Sequence, residues 1–534
     1  MVVKYIDVNS MVGRRGLKHP REIWSTDDVL QSMDRAHIDA AVVASAWSRD
    51  YSPNYGNERL LAELSRSERL YGSYTVVPNV ISDSPTAEQM TDFMRRHRLV
   101  AARMFPRSHF FAPDDRTMGS YYAALAAAGY PLIVEASELD FRELQQILTA
   151  HPDLNVIYLG VYWHLTRLLV PLLDGFPRLH IDFSLMQANA IVERLVKRLG
   201  AKQLLYGSGL PRMSPGAARA FIDYADISAE DKALLAHGNA ERLFRINPPT
   251  QNFRPADELV QTALRGEPLP LPVFDSHTHI LGDPYEAGGQ APMLEGDLEH
   301  ISRLYARMGV TKYCVAPWLG IWTDKPAGNQ AVIEMTRQQP EAVYGLIMVD
   351  PAYSEDDVRA QAELFHLKYR IPGMKTLFAR SKIRYTDPAF APWWEIGNAN
   401  KLFALMDPGA YPQFLGDMAE LAENYPDIAF FLDHAGRDWD AAESNVALAK
   451  RHPNLYLQHT YTSNTEGVIE YFVESGMEDR LLYGTDSPMR DPRPQLGWIV
   501  YANISEAAKR KILSGNMHRL LRRAFDGGPY NQVF

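Results

Sequence analysis

Cysteine is almost missing from this chain: Cys314 is the single one in 534 residues. No intrachain disulfide can form, which fits a reducing compartment. Its apolar surroundings, Lys312-Tyr313-Cys314-Val315-Ala316, predict a buried thiol rather than a nucleophile. Long apolar runs are also missing. None approaches the ~18–20 residues that span a bilayer. The opening MVVKYIDVNSM lacks the charged start, apolar core and small-residue cleavage site of a secretion signal. A basic excess is missing too. The formal charge is −10, spread along the chain, which argues against a nucleic-acid partner. The expectation is a cytoplasmic protein with neither nucleic acid nor membrane as partner.

What is present is the composition of a globular protein: 46% hydrophobic, 22% charged and 11% aromatic. At this length a single core is implausible and at least two domains are expected. An internal repeat supplies them. Tyr5-Ile6-Asp7-Val8-Asn9-Ser10-Met11 resembles Phe274-Asp275-Ser276-His277-Thr278-His279, with Asp7 opposite Asp275. Asn57 then matches Asn329, the YGSYTVVP run from Tyr71 matches YGLIMVDP from Tyr344, and Arg103 matches Lys375. LLYGSGLP matches LLYGTDSP, and Asn239 in HGNAERLF matches Asn516 in SGNMHRLL. The separation drifts only from 268 to 277 over these six segments. Collinearity of that kind identifies a tandem duplication. The expected units are 1–247 and 272–534, joined by a linker over 248–271 with a short helical stretch, Ala256 to Leu264, and then the semi-rigid EPLPLP.

Each unit alternates short apolar runs with amphipathic segments. In the second, eight runs read as strands: VFDSH, KYCVAP, VYGLIMVD, GMKTLF, LFALMD, IAFFLDH, LYLQHT and LLYGTD. Helical periodicity separates most of them, as in ISRLYARM and FLGDMAELAENY. The predicted fold class is α/β, with two tandem (β/α)8 TIM-type barrels. Functional groups are then expected where strands end, at the C-terminal face.

His277 and His279 stand at i and i+2 on the first strand of the second unit, so both imidazoles share one face and suit a divalent metal. Asp486 closes the eighth strand, where a carboxylate can ligate the metal and take a proton; its ordinary alternative is a helix cap. His434 ends the sixth strand as a second ligand or a general acid/base. Its neighbour Asp433 is expected to point the other way. Asp407, before Pro-Gly, is a ligand or an ordinary turn residue. Lys375 and His459 end the fourth and seventh strands and are candidate substrate contacts, as are Arg437 and Arg490 among the arginines Arg380, Arg384, Arg437 and Arg490 that follow strand ends. Trp318, Trp322, Trp393 and Trp394 lie after strands and either wall a substrate pocket or pack loops onto the barrel.

The HxH of strand one, the histidine ending strand six, GTDSP on strand eight and the closing GNMHRL resemble the amidohydrolase-related ("amidohydrolase 2") family. That group includes aminocarboxymuconate-semialdehyde decarboxylase, gamma-resorcylate decarboxylase and lactone hydrolases. The resemblance covers the second unit and, more weakly, the first. It implies a divalent metal on His277, His279 and Asp486, with His434 as proton donor/acceptor or ligand of a second metal. In one respect the chain departs from the pattern: Asp407 stands where the family usually has a histidine. An anionic ligand favours a harder ion, so zinc, iron and manganese all remain open, as does one ion against two. The first unit carries Asn9 and Met11 opposite the two histidines, Val161 beside Gly160 opposite His434, and Gly209 opposite Asp486. Only Glu135, opposite Asp407, is left as a ligand, so this unit is expected to be a degenerate, metal-free barrel that packs against its neighbour, covers its mouth or replaces the partner of a homo-oligomer.

The leading expectation for function is a metal-dependent hydrolase. Metal-activated water would attack an amide, lactone, ester or thioester, with Asp486 as base and His434 or the metal steadying the oxyanion. Nonoxidative decarboxylation of an unsaturated or aromatic acid on the same site is the alternative. A non-catalytic binding or scaffold protein is the third reading. Small-molecule substrates, anionic ones included, fit the arginines and tryptophans of the mouth.

Overall fold

The computed structural model describes residues 3–16, 19–282, 292–352 and 354–532. The chain divides into two compact units with a break between Ala256 and Asp257. Each unit contains one eight-stranded parallel sheet with strands in sequential order. In the first unit the strands are β1 (Ile6–Val12), β2 (Ala40–Ser45), β3 (Leu70–Thr75), β4 (Leu99–Met104), β5 (Leu132–Glu135), β6 (Val156–Leu159), β7 (Leu179–Asp182) and β8 (Leu204–Leu205). In the second they are β9 (Val273–Ile280), β10 (Val310–Pro317), β11 (Val343–Ile347), β12 (Gly373–Leu377), β13 (Phe403–Asp407), β14 (Ala429–Leu432), β15 (Leu455–His459) and β16 (Leu481–Tyr483). Helices follow the strands, so both units are (β/α)8 TIM-type barrels, as the strand runs implied. The periodic segments fall in helices Leu298–Met308 and Phe414–Asn424. The linker's helical stretch is Glu258–Ala263, fixed within the second unit by Lys509 Nζ on Asp257 (2.7 Å) and Arg510 Nη2 on Glu258 (2.7 Å). Among the described residues no helix is long and apolar enough to cross a membrane.

A buried aspartate closes each barrel. Asp275 Oδ1 accepts from His277 N (2.9 Å) and Thr485 N (3.1 Å), and Oδ2 from Thr485 Oγ1 (2.6 Å) and Tyr305 Oη (2.5 Å). Asp7 does the same work with Asn9 N (2.9 Å), Ser208 N (3.0 Å), Ser10 Oγ (2.7 Å) and Ser208 Oγ. The repeated asparagines are equivalent as well. Asn57 bridges Thr75, and Asn329 bridges Met348, each through both the N–H and C=O of its partner. Asn239 and Asn516 each donate to two carbonyls at the start of the eighth strand. These side chains replace backbone hydrogen bonds where a strand ends, which a buried loop must satisfy somehow.

Inside the second barrel, alternate residues build the core: Cys314 and Ala316, Tyr344 and Leu346, Phe403 and Leu405, Ala429 and Phe431. Cys314 is fully buried among them. Following the same parity toward the strand ends leads from Leu405 to Asp407 and from Phe431 to Asp433. Elsewhere, Trp393 and Trp394 are buried packing residues rather than pocket walls. Trp394 Nε1 donates to Tyr385 O (3.0 Å) and Trp393 Nε1 to His366 Nε2 (2.8 Å), while His366 Nδ1 faces Ile371 O at 2.7 Å.

Both ring nitrogens of His366 are thus used in the neutral form, and burial pushes its pKa down to about 4. The stability this gives is present above the unfolded value near 6.5 and is lost as the pH falls toward 4, about 3 kcal/mol at the limit. We expect the melting temperature of the second unit to fall less steeply between pH 6.5 and 4 in His366→Gln than in the parent. Parallel pH profiles would contradict this.

Candidate metal centre

Three side chains converge at the C-terminal mouth of the second barrel. His277 and His279 leave the same face of β9, and their Nε2 atoms lie 3.1 Å apart. Asp486, in the turn after β16, brings Oδ1 to 3.1 Å from His279 Nε2 and 3.6 Å from His277 Nε2. The backbone holds this register directly, because Asp486 N donates to His277 O at 2.8 Å. Helix Pro492–Val500 is capped by Asp491, so Asp486 is free of the capping role that was its alternative. All three side chains are buried. Burial pushes His277 and His279 down to about 3, with the nearby Lys375 charge acting in the same direction. Both rings are therefore neutral, the state a metal ligand requires.

The outer nitrogens face acceptor atoms of the kind found around metal-ligating histidines. His277 Nδ1 lies 3.2 Å from Asp433 Oδ1, and His279 Nδ1 lies 3.4 Å from Ala316 O. Two neutral imidazoles and a carboxylate converging in this way fit a divalent metal ion. A second group, Asp407, Asp433 and His434, also brings its ligand atoms within 4.8 Å of one another. Both groups of three found among the described residues lie in the second unit.

Asp433 corrects the expectation that it points away from the site. The β-sheet alternation behind that expectation holds only while the strand continues. Here β14 stops at Leu432, and His434 has a left-handed backbone (φ 54°). Asp433 therefore keeps the inward parity of Phe431, and the turn brings His434 to the mouth as well. Lys375 Nζ donates to Asp433 Oδ2 at 3.2 Å. Burial works against the Asp433 charge. Contacts with His277, His434 and the Lys375 ammonium outweigh it and hold the carboxyl well below the usual carboxylate range. The sequence signal was available in the Phe431 parity, but a strand buried on both faces does not reveal which face is inner.

The other expected residues are spread over several environments. His434 Nε2 lies 3.9 Å from Asp407 Oδ2, and its Nδ1 lies 3.3 Å from Thr460 O. Burial lowers its pKa. Asp407 serves the turn, since its Oδ1 accepts from Gly409 N (2.6 Å), and it also stands in the second candidate ligand group. His277, His279, Lys375, Asp407, His434 and Asp486 all line one cavity of about 270 Å3, walled by Trp318, Trp322 and Arg380. The Arg380 guanidinium stacks on the Trp322 ring at 3.6 Å, and Trp318 packs edge-on against His279. Arg490 is buried behind the site. It pairs with Asp486 Oδ2, donates to Thr462 Oγ1 at 2.6 Å and lies over Tyr461. Arg437 lines an adjoining groove with His434 and Tyr411, and Arg384 pairs with Asp417. His459 does not line the 270 Å3 cavity; it is fully buried against Trp498, and burial pushes it down to about 3.

The sequence matches the amidohydrolase family over residues 24–246 and 275–523, one match in each barrel. The chain belongs to the amidohydrolase family. A gamma-resorcylate decarboxylase of Polaromonas sp. is 26% identical over 141 residues, which is 24% of this chain and 43% of that protein; the match therefore spans under half of the relative's length. Similar solved structures include an uncharacterised TIM-barrel protein of Bordetella bronchiseptica (19% identity, 47% of this chain and 99% of that one, TM-score 0.40). A dihydroxybenzoic acid decarboxylase of Polaromonas sp., solved with manganese and an inhibitor, aligns at 18% identity over 47% and 98% of the two chains, TM-score 0.37. A probable 2-pyrone-4,6-dicarboxylic acid hydrolase of Acinetobacter baumannii aligns at 17% over 47% and 99%, TM-score 0.37.

In the first barrel of this amidohydrolase-family chain, the backbone moves one correspondence by a residue. Val134 pairs with Tyr158 as Met406 pairs with Leu432, so Gly160 rather than Val161 stands opposite His434. Gly160 has φ 64° and His434 φ 54°; Gly209 has φ 78° and Asp486 φ 60°.

Asp433 is the clearest test of how the centre is organised. We expect Asp433→Asn to weaken metal affinity about 10–100-fold by loosening the His277 ring, with circular dichroism unchanged. Parent-like metal affinity in that variant would remove Asp433 from the centre.

Proposed function

We propose that the second barrel is a metal-dependent enzyme acting on a small aromatic or unsaturated carboxylic acid, and that its reaction is nonoxidative decarboxylation. The observation that carries this reading is the cavity wall: Trp318 and Trp322, with Arg380 stacked on Trp322, stand beside the histidine–aspartate group. Indole faces accept a flat ring, and a guanidinium accepts a carboxylate or phenolate. The partial match to a gamma-resorcylate decarboxylase supports the same direction.

His277, His279 and Asp486 would hold the metal, which supplies a Lewis acid for substrate oxygens. Asp433 stands 3.2 Å from His277 Nδ1 and accepts from Lys375 Nζ at 3.2 Å, tying the two side chains to one carboxylate. Trp318 and Trp322 orient the substrate ring and exclude water, and Arg380 steers the acid into the mouth. His434 carries the proton. Its Nε2 faces Asp407 across 3.9 Å, and it lines the cavity from a left-handed turn. The carbon–carbon bond to the carboxylate breaks, carbon dioxide leaves, and the ring carbon takes the proton from His434, which is refilled from solvent through the adjoining groove it shares with Arg437. Apolar walls favour this direction, because a charged carboxylate gives way to a neutral gas.

Hydrolysis of an amide, lactone, ester or thioester is the second reading. It asks Asp486 to act as base, yet Oδ2 already accepts from Arg490 and Oδ1 faces the two imidazoles. That occupancy favours decarboxylation.

With manganese or zinc supplied, a panel of hydroxybenzoates and a panel of lactones and esters should separate the two. We expect carbon dioxide and the ring product from the acids, with His434→Asn lowering kcat about 100-fold or more. Turnover of the acyl panel without carbon dioxide release would overturn the reading.

A further inference from the structure

The mouth of the first barrel has a chemistry of its own. A cavity of about 250 Å3 opens there, and four arginines line it with a single carboxylate, Glu135. Arg15 follows β1, Arg49 lies in helix Ala46–Asp50 after β2, Arg103 is on β4, and Arg212 follows β8. Arg103 takes the place of Lys375. It is only 1% exposed, and Nη2 donates to Glu135 Oε1 at 2.7 Å and to Asn9 Oδ1 at 3.4 Å. Its Nε and Nη1 are buried with no hydrogen-bond acceptor. A buried guanidinium with donors to spare is costly, and an anion is what such donors recognise.

Nearby acids leave Arg103 Nε and Nη1 without an acceptor. Glu138 lies 3.5 Å from Arg49, but it already accepts from Arg107 N (2.9 Å), Ser108 N (3.0 Å) and Ser108 Oγ (2.5 Å). Burial alone would raise the Glu135 pKa; the guanidiniums of Arg103, Arg49 and Arg212 outweigh it and hold the carboxyl below its usual value. Burial and repulsion from Arg212 lower the pKa of Arg15, outweighing the attraction of Glu22 and Asp50. Cations therefore crowd this mouth in excess. Met11, Leu185 and Met213 give the wall an apolar part, beside the polar Asn9, Ser137 and Ser184.

We propose that the first barrel binds a small organic carboxylate, its acid group held by Arg103 with Arg49 and Arg212, and its apolar body laid against Met11, Leu185 and Met213. This site is independent of the reaction assigned to the second barrel.

Calorimetric titration of the full chain, without added metal and in chloride buffer, tests it with phthalate and benzoate as probes and inorganic phosphate as the comparison. One saturable site per chain is expected for the carboxylates. Affinity should fall at least 10-fold in Arg103→Met and several-fold in Arg49→Gln and Arg212→Gln, two changes outside the buried frame that cover the case of a misfolded Arg103 variant. His279→Ala with Arg380→Gln in the second barrel should leave this binding unchanged. Absence of saturable binding, phosphate binding as tight as benzoate, or binding lost in the second-barrel variant and kept in the arginine variants would each overturn the proposal.

Discussion

Everything at the mouth of either barrel depends on one buried aspartate near the start of the first strand. Asp275 collects four donors from β9, Tyr305 and the turn after β16. Burial pushes its pKa up to about 7 in spite of them, so the hydrogen bonds offset only part of the cost of burying the carboxylate. It fixes Thr485 against His277, and the next residue, Asp486, then donates its own N–H to His277 O. Two elements at opposite ends of the second barrel are thereby brought into register. Asp7 performs the same closure with Ser208, although the residues around it are not a ligand set. The closure belongs to the frame, and the chemistry is mounted on it.

Backbone strain distinguishes the two mouths. Both barrels turn through a left-handed conformation after the sixth strand and again after the eighth. The second barrel sets His434 and Asp486 there, each at a cost of about 1 kcal/mol or more. The first barrel sets Gly160 and Gly209 there, which adopt the same angles without that cost. Strained non-glycine residues held by an over-determined frame are a mark of function. Their replacement by glycine, together with the arginines of the first mouth, supports our reading that this barrel holds no metal and has a different ligand.

Much of this was legible in the sequence, for identifiable reasons. The tandem barrels followed from eight apolar runs and six collinear segments, and Asn57, Asn329, Asn239 and Asn516 matched because each satisfies the same backbone groups. His277 and His279 were readable because alternation along a strand is strict. Asp433 was not, because alternation ends where the strand ends. Gly160, not Val161, stands opposite His434, a one-residue difference that strand pairing and the backbone angle reveal and residue spacing does not. The roles of Arg490 and Arg380 were indistinguishable in sequence, since both follow strand ends; burial behind Asp486 separates one from the other, which stacks on Trp322. The arginine cluster of the first mouth was hidden because its four members come from four separate loops and strands.

The central claim is that one chain carries two copies of a frame and a metal centre in only the second. Anomalous diffraction from crystals of the full chain grown with manganese tests this most directly. The account predicts a peak between His277, His279 and Asp486, and none within ligand distance of Glu135. A peak at Glu135, or an empty second mouth, would contradict it.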